Sequence, residues 1–275
     1  MSQVQGSSLP ASTPAPTTAP GSIHIGGMRI DAGTYASSTA LITRWAAEPD
    51  GQARSRYVAI ANVHLTMEAH DSDEYRALIN QSALVTSDGM PLVWVLRRRG
   101  HHAAERVYGP TLMLHVCEAA ATQGLPVALF GGSPDVLAQL TRTLLARFPK
   151  LSIACAISPP FGPISPELDA DYCEQLKRSG ARILFVGLGC PKQERWMAAH
   201  QGRIPAVMLG VGAAFNFHAG HVRQAPAWMQ RLGLEWAFRL AMEPRRLWRR
   251  YLWHNPRFIA LVLREHFSRT RSTQP

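Results

Sequence analysis

A doubly wound α/β fold is what this sequence predicts, and three observations predict it. Six short apolar runs recur along the chain: YVAIA (57–61), ALVTS (83–87), PVALF (126–130), LSIACAI (151–157), RILFVG (182–187) and AVMLG (206–210). Helix-length segments separate them. The runs are continuously apolar, not alternating, as expected of parallel strands buried on both faces. Alternating β and α units imply right-handed crossovers and a mostly parallel sheet with flanking helices.

Each element follows from local chemistry. Residues 1–22 form a charge-free Pro/Ser/Thr/Ala tract, expected to be a disordered tail. Helices are expected over 73–81, 109–124, 133–148 and 165–180. Two of their starts are well marked: Ser133-Pro134-Asp135 and Ser165-Pro166-Glu167 each place an N-cap, a proline and an early acid in order. The α/β domain is expected to span 23–242, followed by a basic appendage at 243–275. No fixed-period repeat interrupts this plan.

The 275 residues carry 29 basic and 19 acidic groups, a formal net charge of +10, and 46% are hydrophobic. That composition excludes a mainly disordered chain. The four cysteines, at 117, 155, 173 and 190, form neither a CxxC motif nor a Cys/His zinc spacing, so a reducing, cytoplasmic compartment is expected. No secretory signal and no membrane-spanning run are apparent.

The charge is concentrated. From Gly220 onward there are eleven Arg, no Lys and three acids (Glu235, Glu243 and Glu265), a net of +8. Four of the seven Trp fall there too. In EPRRLWRRYLWHN (243–255), a helical projection puts Arg245, Arg246, Arg249 and Arg250 on one face. Leu247, Trp248, Tyr251 and Leu252 fall on the other, with Trp253 among the arginines. Such a helix suits an anionic membrane surface. It equally suits docking on the domain with its arginines in water. Nucleic acid is disfavoured, because no nucleic-acid motif is present and the basic tail lacks Lys.

Ligands of open α/β sheets bind at the carboxyl ends of the strands. Asn62 and His64 follow the first run, and Asp88-Gly89 the second. Gly131-Gly132-Ser133 follow the third. Gly187, Gly189 and then Gln193-Glu194 follow the fifth, and Gly210, Gly212 and Asn216 the sixth. Backbone N–H groups in such turns can hold phosphates, although tight strand-to-helix turns alone explain each glycine pair. The glycine strings lack the third glycine and distal acid of a dinucleotide site, and no P-loop occurs. Asp88 reads as a turn residue or as a general base at the sheet edge. Arg106 reads as a surface residue or an anion clamp. His64, His101 and His102 have no partners at metal spacing, and the two D-x-D triplets (Asp71/Asp73, Asp169/Asp171) read as solvated helix residues.

Taken in order, TSDGMPLVWVLRRRG (86–100), RVYGPTLM (106–113), LFGGSP (129–134), ILFVGLGCPKQERWM (183–197), GVGAAFNFHAG (210–220), the segment from Arg223 to Trp236 and RLAMEPRRLWRRYL (239–252) resemble the WecG/TagA/CpsF glycosyltransferases. The resemblance runs from about residue 25 to 260. It implies a Rossmann-like core and an inverting transfer of a hexose or N-acetylhexosamine. The donor would be a UDP-sugar and the acceptor a polyprenyl-diphosphate-linked glycan of the cell envelope or an exopolysaccharide.

On that resemblance, Asp88 matches the catalytic base, and Asn62, Arg106 and Gln193 match polar positions of the pocket. Glu194 and the glycine-rich turns at Gly131, Gly132, Gly187 and Gly212, with Asn216, would complete the donor site. The arginine-rich end, with Trp248, matches an appendage that reaches the membrane. Ile60 and Asn216 stand where the family often has Thr and Asp. No metal or other cofactor is expected, and self-association into a homo-oligomer is compatible with this reading. The alternative is a non-catalytic module that binds the nucleotide or the lipid diphosphate within an assembly complex.

Overall fold

The computed structural model describes residues 21–49 and 55–272. It opens with a hairpin the strand pattern above left out, β1 (Ser22–Ile25) and β2 (Met28–Asp31). Its signal is short but present. Ile23, Ile25, Met28 and Ile30 alternate inward, and Gly26 and Gly27 both take the positive φ that a tight two-residue turn needs. Ser22, the last residue of the expected tail, already pairs with Asp31 in β1; residues 1–20 lie outside the described ones.

The six apolar runs are β3 (Arg56–Ala61), β4 (Leu84–Ser87), β5 (Val127–Gly131), β6 (Ile153–Ile157), β7 (Ile183–Gly187) and β8 (Val207–Gly210). They form one parallel sheet in the order β4-β3-β8-β7-β5-β6. The apolar continuity has the expected cause. Alternate residues of one strand enter different cores: Leu129 and Phe185 join one cluster with Leu112, Val116 and Leu140, while Phe130 and Leu184 join another with Tyr172 and Met197. A sheet covered on both faces leaves only its strand ends open for a site.

Helices α1 (Tyr35–Ala47), α2 (Val63–Asp71), α3 (Asp73–Gln81), α4 (Met90–Arg98), α5 (Gly109–Gln123), α6 (Pro134–Arg147), α7 (Pro166–Arg178), α8 (Lys192–Ala199) and α9 (Ala214–His218) flank the sheet. Ser133 and Ser165 cap α6 and α7 by accepting from Val136 N–H and Leu168 N–H. The D-x-D aspartates are largely solvated, as expected: Asp71, Asp73 and Asp171 are exposed. Asp71 still accepts two hydrogen bonds from Arg257, and half-buried Asp169 is held by Trp196 and by His200.

After α10 (Ala227–Arg231) and α11 (Glu235–Met242), the chain ends in α12, a single helix from Pro244 to Ser272 that continues through Pro256. This helix docks on the domain. Leu247, Phe258 and Leu261 are buried, Arg257 grips Asp71 of α2, and Glu265 accepts from Gly26 N–H (2.6 Å) and pairs with Arg99. The apolar half of the helix is therefore divided. Trp248, Leu252, Ile259, Leu263 and Phe267 form a second, outward stripe, with Leu252 67% and Phe267 64% exposed. Arg245 and Arg249 are exposed, whereas Arg250 turns inward. No helix among the described residues is long and apolar enough to cross a membrane.

Candidate active site

The carboxyl ends of β3 and β4, the start of α4, and helices α11 and α12 enclose a cavity of about 690 Å³. Asn62, Asp88 and Arg106 line it from the core, and Glu235, Arg239, Arg250 and Tyr251 from the C-terminal helices. Its remaining wall is apolar, including Trp94, Phe258, Ile259 and Leu263.

Asp88 reaches the cavity because β4 ends one residue earlier and α4 begins two residues later. Its N–H donates to Ala61 carbonyl (2.8 Å), which ties the turn to β3. Gly89 caps α4 and Pro91 lies in the first turn, so the chain must leave the strand sharply here. Arg106 holds Asp88 twice: its Nε donates to the backbone carbonyl and an Nη to the carboxylate at 3.3 Å. The same Nη donates to Glu235, and the guanidinium lies 4.2 Å over the ring of Tyr108. One arginine thus serves two carboxylates, one from the core and one from α11.

The electrostatics follow from this sharing. Burial pushes the Asp88 carboxyl up to about 6; Arg106 opposes the rise and the negative Glu235 adds to it. The side chain keeps 17% exposure, through the cavity. Arg106 is held charged by its two acidic neighbours. A carboxylate whose pKa is pushed up to about 6, facing a cavity with a largely apolar wall, is suited to accept a proton. Asn62 has a structural task as well: its carbonyl oxygen accepts from Leu65 N–H and caps α2 (3.2 Å).

A family model for the glycosyl transferase WecG/TagA/CpsF family matches residues 23–272. The chain belongs to that family. It is therefore a glycosyltransferase, of a family that works in cell-envelope polysaccharide synthesis, with a sugar donor and a lipid-linked acceptor as general partners.

For a WecG/TagA/CpsF glycosyltransferase with this fold, the expected site residues divide into two sets. Asp88, Asn62, Arg106 and Arg250 come together in the cavity. Gly131, Gly132, Gly187, Gln193, Glu194, Gly212 and Asn216 gather at the carboxyl edge of the sheet but do not line it. Packing already accounts for several of them. A Cβ on Gly131 would lie 2.7 Å from the Gly187 backbone, and one on Gly187 would lie 2.7 Å from the ring of Phe215. Gln193 is buried with its amide spent internally, donating to Gly210 carbonyl (3.0 Å) and Glu194 (2.7 Å) and accepting from Gly189 N–H (3.1 Å). Glu194 is fully buried and accepts from Tyr75 hydroxyl (3.1 Å), and burial raises its pKa.

The arginine face of the C-terminal segment divides too. Trp248, Arg245 and Arg249 point outward, and the Arg246 side chain lies outside the described ones. Cavity residues that the sequence did not single out include Glu235, Arg239, Tyr108 and Tyr251. Only Glu235 carried a signal, as one of three acids in an arginine-rich segment.

Proposed function

We propose that the cavity is the transfer site and that Asp88 is its base, acting in an inverting transfer from a UDP-sugar to a polyprenyl-diphosphate-linked glycan. One observation supports this above the rest: the Asp88 carboxyl opens into a cavity shared by the core and the C-terminal helices, with its pKa pushed up to about 6. In the transfer, an acceptor hydroxyl gives its proton to Asp88 while its oxygen bonds the anomeric carbon. The bond from that carbon to UDP breaks on the opposite face, and the electron pair leaves with the diphosphate. Arg106, Arg239 and Arg250 are the cations that can offset the developing negative charge. No metal is assigned to this step.

The membrane part of the reading rests on the outward stripe of α12. Trp248, Leu252, Ile259, Leu263 and Phe267 lie beside Arg245 and Arg249, an apolar strip with a cationic margin suited to the cytoplasmic face of a membrane that carries the acceptor. Leu252 and Phe267 are exposed and do not line the cavity, so Leu252→Glu with Phe267→Glu should leave the fold intact and lower sedimentation with anionic vesicles. Undiminished sedimentation would rule out this face.

The decisive assay incubates the full chain with a panel of UDP-sugars and a short-chain polyprenyl-diphosphate sugar, and follows UDP release for each donor. One donor should support acceptor-dependent release. Release with none, or release independent of acceptor, would contradict the proposal.

A further inference from the structure

His64 and Glu68 stand one turn apart on α2, and His254 reaches them from α12. One donor atom from each lies within 4.8 Å of the other two. His64 Nδ1 is 3.7 Å from a Glu68 oxygen, and His254 Nε2 is 3.8 Å from the same oxygen. Those separations are too long for hydrogen bonds. They are close to the edge of about 3.4 Å set by a tetrahedral ion with bonds of about 2.0–2.1 Å. The His64 Nδ1, the atom that faces Glu68, is buried without a hydrogen-bond partner, although buried polar atoms nearly always have one. The imidazoles meet edge to face with ring centroids 4.9 Å apart, an arrangement that leaves the His64 Nδ1 turned toward Glu68.

We propose that His64, Glu68 and His254 bind a transition-metal ion of the Zn²⁺ class, which ties α12 to α2. Two imidazoles and one carboxylate make three protein ligands, leaving one position for water. The charge of Arg250 disfavours an ion held by charge alone. The site therefore selects an ion that bonds imidazole over hard ions such as Mg²⁺. His64 had no partner at metal spacing in the sequence because His254 lies 190 residues away and only folding brings it in. A second cluster, Asp169, Cys173 and His200, differs in kind: His200 Nε2 is already 2.9 Å from Asp169, which also accepts from Trp196 (3.0 Å).

The site joins the two halves of the cavity wall, since His64 and His254 both line it. Calorimetric titration of the full chain with Zn²⁺ in chelator-free buffer should show one equivalent bound, with a matching rise in thermal midpoint. His64→Ala and His254→Ala should each weaken binding at least about tenfold, Cys173→Ser should leave it unchanged, and Mg²⁺ should not bind. Circular dichroism identifies any variant that fails to fold, and His64→Ala, which leaves α12 untouched, then carries the test. Three results would overturn the assignment: no saturable Zn²⁺ binding, full binding in the His64→Ala/His254→Ala double variant, or Mg²⁺ binding of equal strength.

Discussion

Two stretches of the same sheet edge, one at its centre and one at its β4 end, carry the residues that the sequence marks as functional, and they use them in opposite ways. At the central β7–β8 stretch, Gln193 and Glu194 spend every polar atom on neighbours: Gly189, Gly210, Tyr75 and each other. At the β4 end, Asp88 shares one arginine with Glu235 and faces a cavity. The first arrangement fixes a strand-to-helix turn. The second leaves a carboxylate whose ionisation is costly and whose surroundings can receive a substrate. A polar residue at a strand end becomes a site candidate when the fold leaves it incompletely satisfied.

The largest test of this contrast is Asp88→Asn. It should lower turnover by about 100-fold or more while the fold persists. It should also be more stable than wild type above pH 6. The sign follows from the raised pKa: the folded state binds the Asp88 proton more tightly than the unfolded chain, so wild-type stability falls as pH rises from the ordinary carboxylate range through about 6. A neutral amide avoids that loss. Chemical denaturation at pH 7 and pH 4 checks it, the advantage of the variant shrinking at the lower pH.

Next comes Arg106→Gln, which leaves Asp88 and Glu235 without the cation between them. Turnover should fall by about 10-fold or more, and the acid limb of the pH profile should move upward. At the central stretch of the edge, Glu194→Ala should cost about 1–3 kcal/mol of stability by removing the carboxylate that accepts from the Tyr75 hydroxyl. Activity per folded molecule should hardly change. Strong loss of activity there without loss of stability would erase the distinction between the two stretches.

The sheet was legible because a strand buried on both faces must be apolar throughout, and the six runs have no competing explanation. The capped starts of α6 and α7 were legible for the same reason: a serine followed by proline has few other uses. The β1–β2 hairpin was equally written, in Ile23, Ile25, the two glycines, Met28 and Ile30, but eight strand residues beside a low-complexity tract are easily absorbed into it. The site was legible mainly on its core side. Asp88 and Asn62 announce themselves by position after strands, and Arg106 by the family resemblance. Glu235 acts through pairing with Arg106, 129 residues away, which no local pattern encodes. The projection of α12 was right about its two chemistries and silent on the division of its apolar side, because docking against α2 and the hairpin selects Leu247 and Phe258 over Trp248 and Leu252.

The smallest effect is also the sharpest. Glu235→Gln removes a negative neighbour that raises the Asp88 pKa and frees Arg106 to pair with Asp88 alone. The measurement is kcat/KM for acceptor-dependent UDP release between pH 4.5 and 8.5, in wild type and in Glu235→Gln. The wild-type rate should rise to half its plateau near pH 6, and that midpoint should move lower in the variant. A profile that is flat across the range, or a midpoint indifferent to Glu235, would contradict Asp88 as the group that takes the proton.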